Sequence, residues 1–362
     1  MDYLGLRLDL ILFFITFLVT FFLYPYWINF VYKFNMGEVS EVHEHKQGIP
    51  TMGGFVFVFS ISMVTILLNR SRTQTLLPLF VCCLAGLLGL LDDFAKVYAK
   101  SGLPFFWEQI YSKIFNISKP KHLSIPQLIS RFWQKFKEVS RFVGSSEKNG
   151  MQTYQKFIFQ GLIGGFISYW AYFKLGWDYI WFPLLGDIHI GLLYPIVIFL
   201  LFIVILNAVG FTDGLDGLAG GLAFFAVIAF WLISRTLQYN SLAGFCATFA
   251  GALLPFLYFN IYPARIMMGN VGSHAIGATL AVLAVVTHRE IAFLFIGLVF
   301  LVDGISSPLQ QLSVKYTGKR LFMMAPLHHH FEKMGWPETK VTFRFWVFGL
   351  VAAFFGVFIS LI

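Results

Sequence analysis

The chain has only 18 acidic side chains in 362 residues, and several stand where an acid is costly. Asp92 and Asp93 close one apolar run, Asp213 and Asp216 open another, and Asp303 interrupts a third. At membrane depth an ionisable group costs roughly 2.5–3.5 kcal/mol on insertion scales. A single helix-end carboxylate can rest in the wet interface; four meeting on one face call for more. Adjacent carboxylates such as Asp92 and Asp93 repel, and they persist mainly where a cation or metal lies close. Lys96, at i+4 from Asp92, offers a plain helical ion pair as the simpler account. Asp213 and Asp216 are spaced i, i+3 and share a face if their turn is helical. Gly214 and Gly217 beside them leave room for a ligand to approach the backbone.

Three further stretches carry polar groups of matching chemistry. His43–Gly54 (HEHKQGIPTMGG) sets Lys46 on a Gly/Pro-rich loop, suited to an anion, although a loop lysine is more often simply solvated. Phe259–Gly277 includes Asn260 and, at Gly269-Asn270-Val271-Gly272-Ser273, the opening of an apolar segment. Small residues at a helix N-terminus favour phosphate. Ala325–Phe331 (APLHHHF) holds His328, His329 and His330 after Lys319 and Arg320. Three adjacent histidines tempt a zinc reading, but zinc ligands must converge, and neighbouring loop residues rarely do. With carboxylates at hand and no cysteine ligands, a hard cation such as Mg²⁺ is the better fit. Carboxylates for Mg²⁺, Lys, Arg and His for phosphate, and glycines for close approach suit phosphoryl transfer between a soluble nucleotide and a lipid. Positioning and charge neutralisation do most of the work in such chemistry.

The elements that must position these groups are membrane helices. Apolar residues make up 58%, aromatics 19% and charged residues 12%, and the mean hydropathy is +0.74. A charged share about half that of soluble proteins excludes a soluble enzyme, a disordered scaffold and a disulfide-built secreted domain. Cys82, Cys83 and Cys246 lie inside apolar runs and read as core fillers. A spanning helix needs about 20 apolar residues. Ten stretches qualify: 8–32, 53–69, 75–91, 157–173, 190–209, 217–234, 241–259, 271–287, 291–312 and 342–361. The odd-numbered loops between them carry most of the Lys and Arg, ten within 92–156 before Lys156 and five within 313–341. The even-numbered loops carry Arg70, Arg72, Lys174, Arg235 and Arg289. By the positive-inside rule the odd loops are cytoplasmic and both termini face the other side. The prediction is an all-α polytopic membrane protein, a single domain over 1–362, with the polar motifs gathered at the cytoplasmic face.

GIPTMGG, DDFAK, NAVGFTDGLDGLA, FNIYPARIMMGNVGS and MAPLHHHFEKMGWPE together resemble the phospho-N-acetylmuramoyl-pentapeptide transferase family. That family belongs to the polyprenyl-phosphate N-acetylhexosamine-1-phosphate transferase superfamily, within which APLHHHFE is the strongest discriminator. The resemblance covers the chain except 97–150. It implies ten transmembrane helices in the bacterial inner membrane, a cytoplasmic Mg²⁺-dependent site, and a homodimer. The implied reaction moves phospho-MurNAc-pentapeptide from UDP-MurNAc-pentapeptide to undecaprenyl phosphate, giving lipid I and UMP. By position, Asp92 matches the proposed base for the lipid phosphate, with Asp93 beside it. Direct attack and a double displacement through a carboxylate-linked intermediate both remain open. Lys46, Gly214, Leu215, Asp216 and Asn260 match positions around the uridine. Asp213, Lys96 and His328–His330 match the polar ring around the pyrophosphate, and Asp213 and position 270 the metal site.

Three departures follow. Asn270 stands where the family has Asp, so a metal ligand loses its charge and metal affinity should fall. Gly210-Phe211 replaces Asn-Leu and removes a polar side chain. Segment 97–150 is longer than usual, basic, and interleaved with aromatics. It reads either as an interfacial helix pair on anionic headgroups or as a solvated loop. Neither a recognition fold nor a groove for nucleic acid is evident. Two other readings stand beside the family's own reaction: transfer from a different UDP-N-acetylhexosamine, or a binding protein with a weakened metal site. A transporter would spread its polar groups about the midplane, and is less apt.

Overall fold

The computed structural model describes residues 3–34, 36–37, 46, 48–101, 134, 136–138, 140 and 151–362. Each of the ten apolar stretches becomes a helix or a broken pair. They are α1 (Tyr3–Lys33), α2 (Gly54–Leu68), α3 (Leu76–Ser101), α4 (Thr153–Tyr169), α5 (Tyr194–Thr212), α6 (Leu218–Thr236), α7 (Asn240–Asn260), α8 (Gly269–Val286), the pair α9 (Glu290–Ile296) and α10 (Leu298–Thr317), and α12 (Glu338–Leu361). Between α10 and α12 lies the short α11 (Leu327–Lys333). By length and composition seven helices can cross a membrane, or eight if the bent pair α9–α10 counts as one span. α2 and α4, at 15 and 17 residues, are shorter. The ninth span breaks at Gly297, with an 81° bend, rather than at Asp303, which lies inside α10. One hairpin, β1 (Tyr179–Phe182) with β2 (Gly186–His189), pairs antiparallel with Tyr179 opposite His189. The protein is thus a polytopic, almost wholly helical membrane protein. The insert 97–150 lies almost entirely outside the described residues.

α8 is the centre of the bundle. Its residues from Val271 to Val286 are all buried, in a run of Ala, Val and Leu that offers apolar contact all round. A helix apolar on every face must be enclosed. Small residues let its neighbours close in. A Cβ at Gly89 of α3 would overlap the Asn270 carbonyl, and one at Gly54 of α2 would overlap the Gly272 backbone. On the other side Gly277 meets the Leu206 backbone of α5. The contact at Gly89 matters most, because it lays the C-terminal part of α3, with Asp92 and Asp93, against the N-terminus of α8. Outer helices keep apolar faces to lipid: Phe22 and Tyr26 of α1 and Phe343 and Phe348 of α12 are exposed.

Candidate active site

Asp92 is the hub of the first polar cluster. Lys156 of α4 places its ammonium 2.7 Å from Asp92 Oδ2, and the Asn270 side-chain amide donates to the same oxygen at 2.6 Å. Lys96 lies at 3.7 Å, so the i, i+4 pair exists but is the longer of the two. The Met151 N–H donates to Asp92 Oδ1 at 3.0 Å. Asp93 turns the other way. Its two oxygens accept the Asn270 and Val271 N–H groups, each at 3.0 Å. Those are orphan donors of the first turn of α8, and a carboxylate there also meets the positive end of the helix dipole. Asp93 therefore docks α3 on α8, and Gly269, with φ +72, is bare where a Cβ would strike its carboxylate.

Lys156 and Asn270 also line a small polar cavity of about 30 Å³, room for roughly one water molecule. Gln160, Asn207, Gly210 and His274 complete its polar and open walls. Gln160 and Asn207 are cross-linked, the Asn207 amide donating at 2.9 Å, and His274 Nδ1 lies 2.9 Å from the Asn270 carbonyl. Asp92 itself is only 1% exposed and sits behind Lys156 and Asn270. The cavity is lined by the Lys156 and Asn270 side of this arrangement, and Asp92 is not among its walls.

The second cluster is a closed ionic knot. Lys46 is buried with its ammonium 2.7 Å from Asp216 and 2.6 Å from Glu338. Asp216 also accepts the Ala264 N–H at 2.9 Å, while its own N–H donates to Glu338 at 2.6 Å. Burial works against the Lys46 charge, but Asp216 and then Glu338 outweigh it and hold the pKa above the usual lysine value. Asn260 ties the knot to its surroundings. Its Oδ1 accepts the Gly217 N–H at 3.0 Å and its amide donates to the Ile266 carbonyl at 2.9 Å. Leu215 is buried in the core.

The third group is His328. Its N–H donates to Asp303 Oδ1 at 2.9 Å and its Nδ1 lies 2.8 Å from Oδ2. Nε2 is buried with no hydrogen-bond partner and faces Gly214, where a Cβ would collide with it. His329 and His330 diverge: His329 Nδ1 lies 2.6 Å from Glu332, and His330 Nδ1 accepts the Met323 N–H at 3.1 Å. The three histidines do not converge on one point.

The predicted residues thus gather as Asp92, Asp93, Lys96 and Asn270; as Lys46, Asp216 and Asn260; and as Gly214 with His328. Asp213 caps the C-terminus of α5, and the 213–216 segment is a turn, so Asp213 and Asp216 do not share a helix face. Lys156 is the chief residue that sequence reasoning missed. Thr153, Lys156 and Gln160 recur at helical spacing as a polar stripe on α4, which is the signal that could have found it. Glu338, Asp303 as the anchor of His328, and His274 were missed as well.

Among the described residues no group of three or more His, Cys, Asp or Glu side chains forms a metal cage. Mg²⁺ seldom relies on such cages; it takes one or two protein oxygens and completes its shell with water and substrate phosphates. The Asp213 carboxylate and the Asn270 side-chain Oδ1 are hard donors of that kind. With one of them uncharged, they fit the ion weakly.

Residues 145–288 match the glycosyl transferase family 4 profile. The chain is 34% identical to a phospho-N-acetylmuramoyl-pentapeptide-transferase of Geobacillus sp. over 96% of both chains. It is 35% identical to the protein of that name in Oceanobacillus iheyensis over 99% of both. With the one in Clostridium perfringens it shares 33% over 94% of this chain and 95% of the relative. Similarity of this extent, running through α3, α8 and the histidine segment alike, places the chain in the phospho-N-acetylmuramoyl-pentapeptide-transferase family.

Proposed function

We propose that this protein transfers phospho-MurNAc-pentapeptide from UDP-MurNAc-pentapeptide to undecaprenyl phosphate, releasing UMP and forming lipid I. It would do so at the cytoplasmic face of the bacterial inner membrane. One observation carries the reading. Lys156 and Asn270, both bonded to Asp92, line a polar cavity at the N-terminus of the most buried helix. In direct transfer, an oxygen of the lipid phosphate bonds to the β-phosphorus of the UDP-sugar, and the bridging oxygen leaves with UMP. The ammonium groups of Lys156 and Lys96 stabilise the charge that gathers on the phosphoryl oxygens, the kind of pre-set electrostatics that dominates such reactions. Asp92 is the proton acceptor for the lipid phosphate once Lys156 turns from Oδ2 to the incoming anion. His328, oriented by Asp303, presents Nε2 from the 214 side.

The Lys46 knot, with Asn260 and the Gly217 turn, forms the nucleotide side of the proposed site. Asp213 and Asn270 are the residues that would hold a Mg²⁺ ion, which when bound would neutralise charge on the pyrophosphate. The protein is proposed to act as a homodimer. The test is UMP release by the purified full chain given both substrates across an Mg²⁺ series. No release at any concentration would overturn the reading, and turnover with UDP-GlcNAc alone would move it to a sister reaction. A second reading, a family member of reduced activity, is favoured by Asn270, whose amide is spent on Asp92 where the family carries a carboxylate.

A further inference from the structure

We propose that the end of the bundle remote from Asp92 carries a lipid site, which holds an anionic phospholipid by an acyl chain in an apolar cavity and by its phosphate on Arg72. The cavity measures about 740 Å³, within the range of built ligand pockets. Leu77 and Phe80 of α3, Phe166 of α4, Trp170, Trp177 and Val286 form its walls. Val286 ends α8 and Asn270 lies in its first turn, so the cavity lies about 24 Å along that helix from the candidate active site. It belongs to neither the cavity nor the ion pairs described above.

The backbone is shaped for this wall. α4 ends in a π-helical turn over Trp170–Lys174, with the Leu175 N–H donating to the Trp170 carbonyl at 3.1 Å. The Trp177 N–H then returns to the Ala171 carbonyl at 3.0 Å. Such turns recur at functional sites because they re-aim side chains. Here both flanking tryptophans enter the lining. Phe80 is 51% exposed and Trp170 39%, so the cavity opens sideways to lipid. Tryptophan favours this depth, where apolar chains meet headgroups.

Charge selects the occupant. Arg72 lines the mouth, is exposed, and has no carboxylate partner among the described residues. A phosphate matches it, with the planar fork suited to two phosphate oxygens. A lipid supplies that anion together with a chain for the apolar interior, which a soluble phosphate cannot.

The experiment uses the full-length protein, stripped of lipid in detergent and then mixed with phosphatidylglycerol or phosphatidylcholine of matched chains. Bound lipid is read by native mass spectrometry. Phosphatidylglycerol should be retained about fivefold better, the weight of one basic residue at an anionic lipid. Arg72→Gln, on an exposed side chain, should erase that preference, and Leu77→Trp should reduce retention of both lipids by filling the cavity. Equal retention of the two lipids by the unmodified chain overturns the proposal. So does a preference that survives Arg72→Gln, or cross-linking that places a second copy of this chain over the cavity.

Discussion

The Asp92 and Lys46 clusters are built from the same parts and behave differently. Each buries carboxylates against lysine between distant elements. Around Lys46 the charges are locked, with two carboxylates on one ammonium and backbone N–H groups supplying the remaining bonds. Around Asp92 the ratio is reversed, with two ammonium groups and a side-chain amide on one carboxylate, and two of these donors lining a cavity. An ammonium beside an open space can turn to an incoming anion; the Lys46 ammonium, held between two carboxylates, cannot, and can only shape the nucleotide side of the proposed site. The lesson is that burial alone does not mark a reactive site. The ratio of partners to charge, and the presence of space beside them, does.

Substitution can break that comparison. Lys46→Ala strands two buried carboxylates and should cost about 3–5 kcal/mol of stability, read as a large fall in melting temperature with or without substrate. Lys156→Ala leaves Asp92 with Lys96, Asn270 and Met151, so the fold should survive. Turnover should nevertheless drop by about 10²–10³-fold, as when one transition-state donor is removed, measured as UMP release. If Lys156→Ala unfolds the protein while Lys46→Ala leaves it intact, the roles assigned to the two clusters are reversed.

Smaller changes sharpen it. Asn270→Asp restores a charged oxygen donor and should raise apparent Mg²⁺ affinity by about 10–100-fold, read from the Mg²⁺ dependence of turnover. It also sets two carboxylates together at Asp92, so in metal-free buffer the same variant should melt lower than the unmodified chain. Gly210→Ala is the mildest. A Cβ there meets nothing within 4 Å, so the helix should gain about 0.5–1 kcal/mol, checked by thermal denaturation.

Much of this architecture is legible in the chain. Hydropathy locates all ten helical stretches, because a lipid-facing or buried helix needs a long apolar run whatever its neighbours. The Asp92-Asp93 pair, Lys46 and Asn270 stand out because charge in such runs is costly. The pairing is not legible. Glu338 reaches Lys46 across 292 residues, and no local pattern reports a contact of that separation. Lys156 hides for a related reason, since a cation at the start of an apolar segment ordinarily lies in headgroups and only packing of α4 on α3 buries it. The split between Asp213 and Asp216 turns on the end of α5, where Asp213 at ψ 56 leaves the helical region and the chain turns until α6 begins after Gly217.

The most direct measurement is UMP release by the unmodified chain and its Asn270→Asp variant, side by side, with both substrates and a Mg²⁺ titration. Release by both, with the variant saturating at lower Mg²⁺, is the result this account predicts. Silence from both at every Mg²⁺ concentration would contradict it, leaving the cavity beside Asp92 a binding site without chemistry.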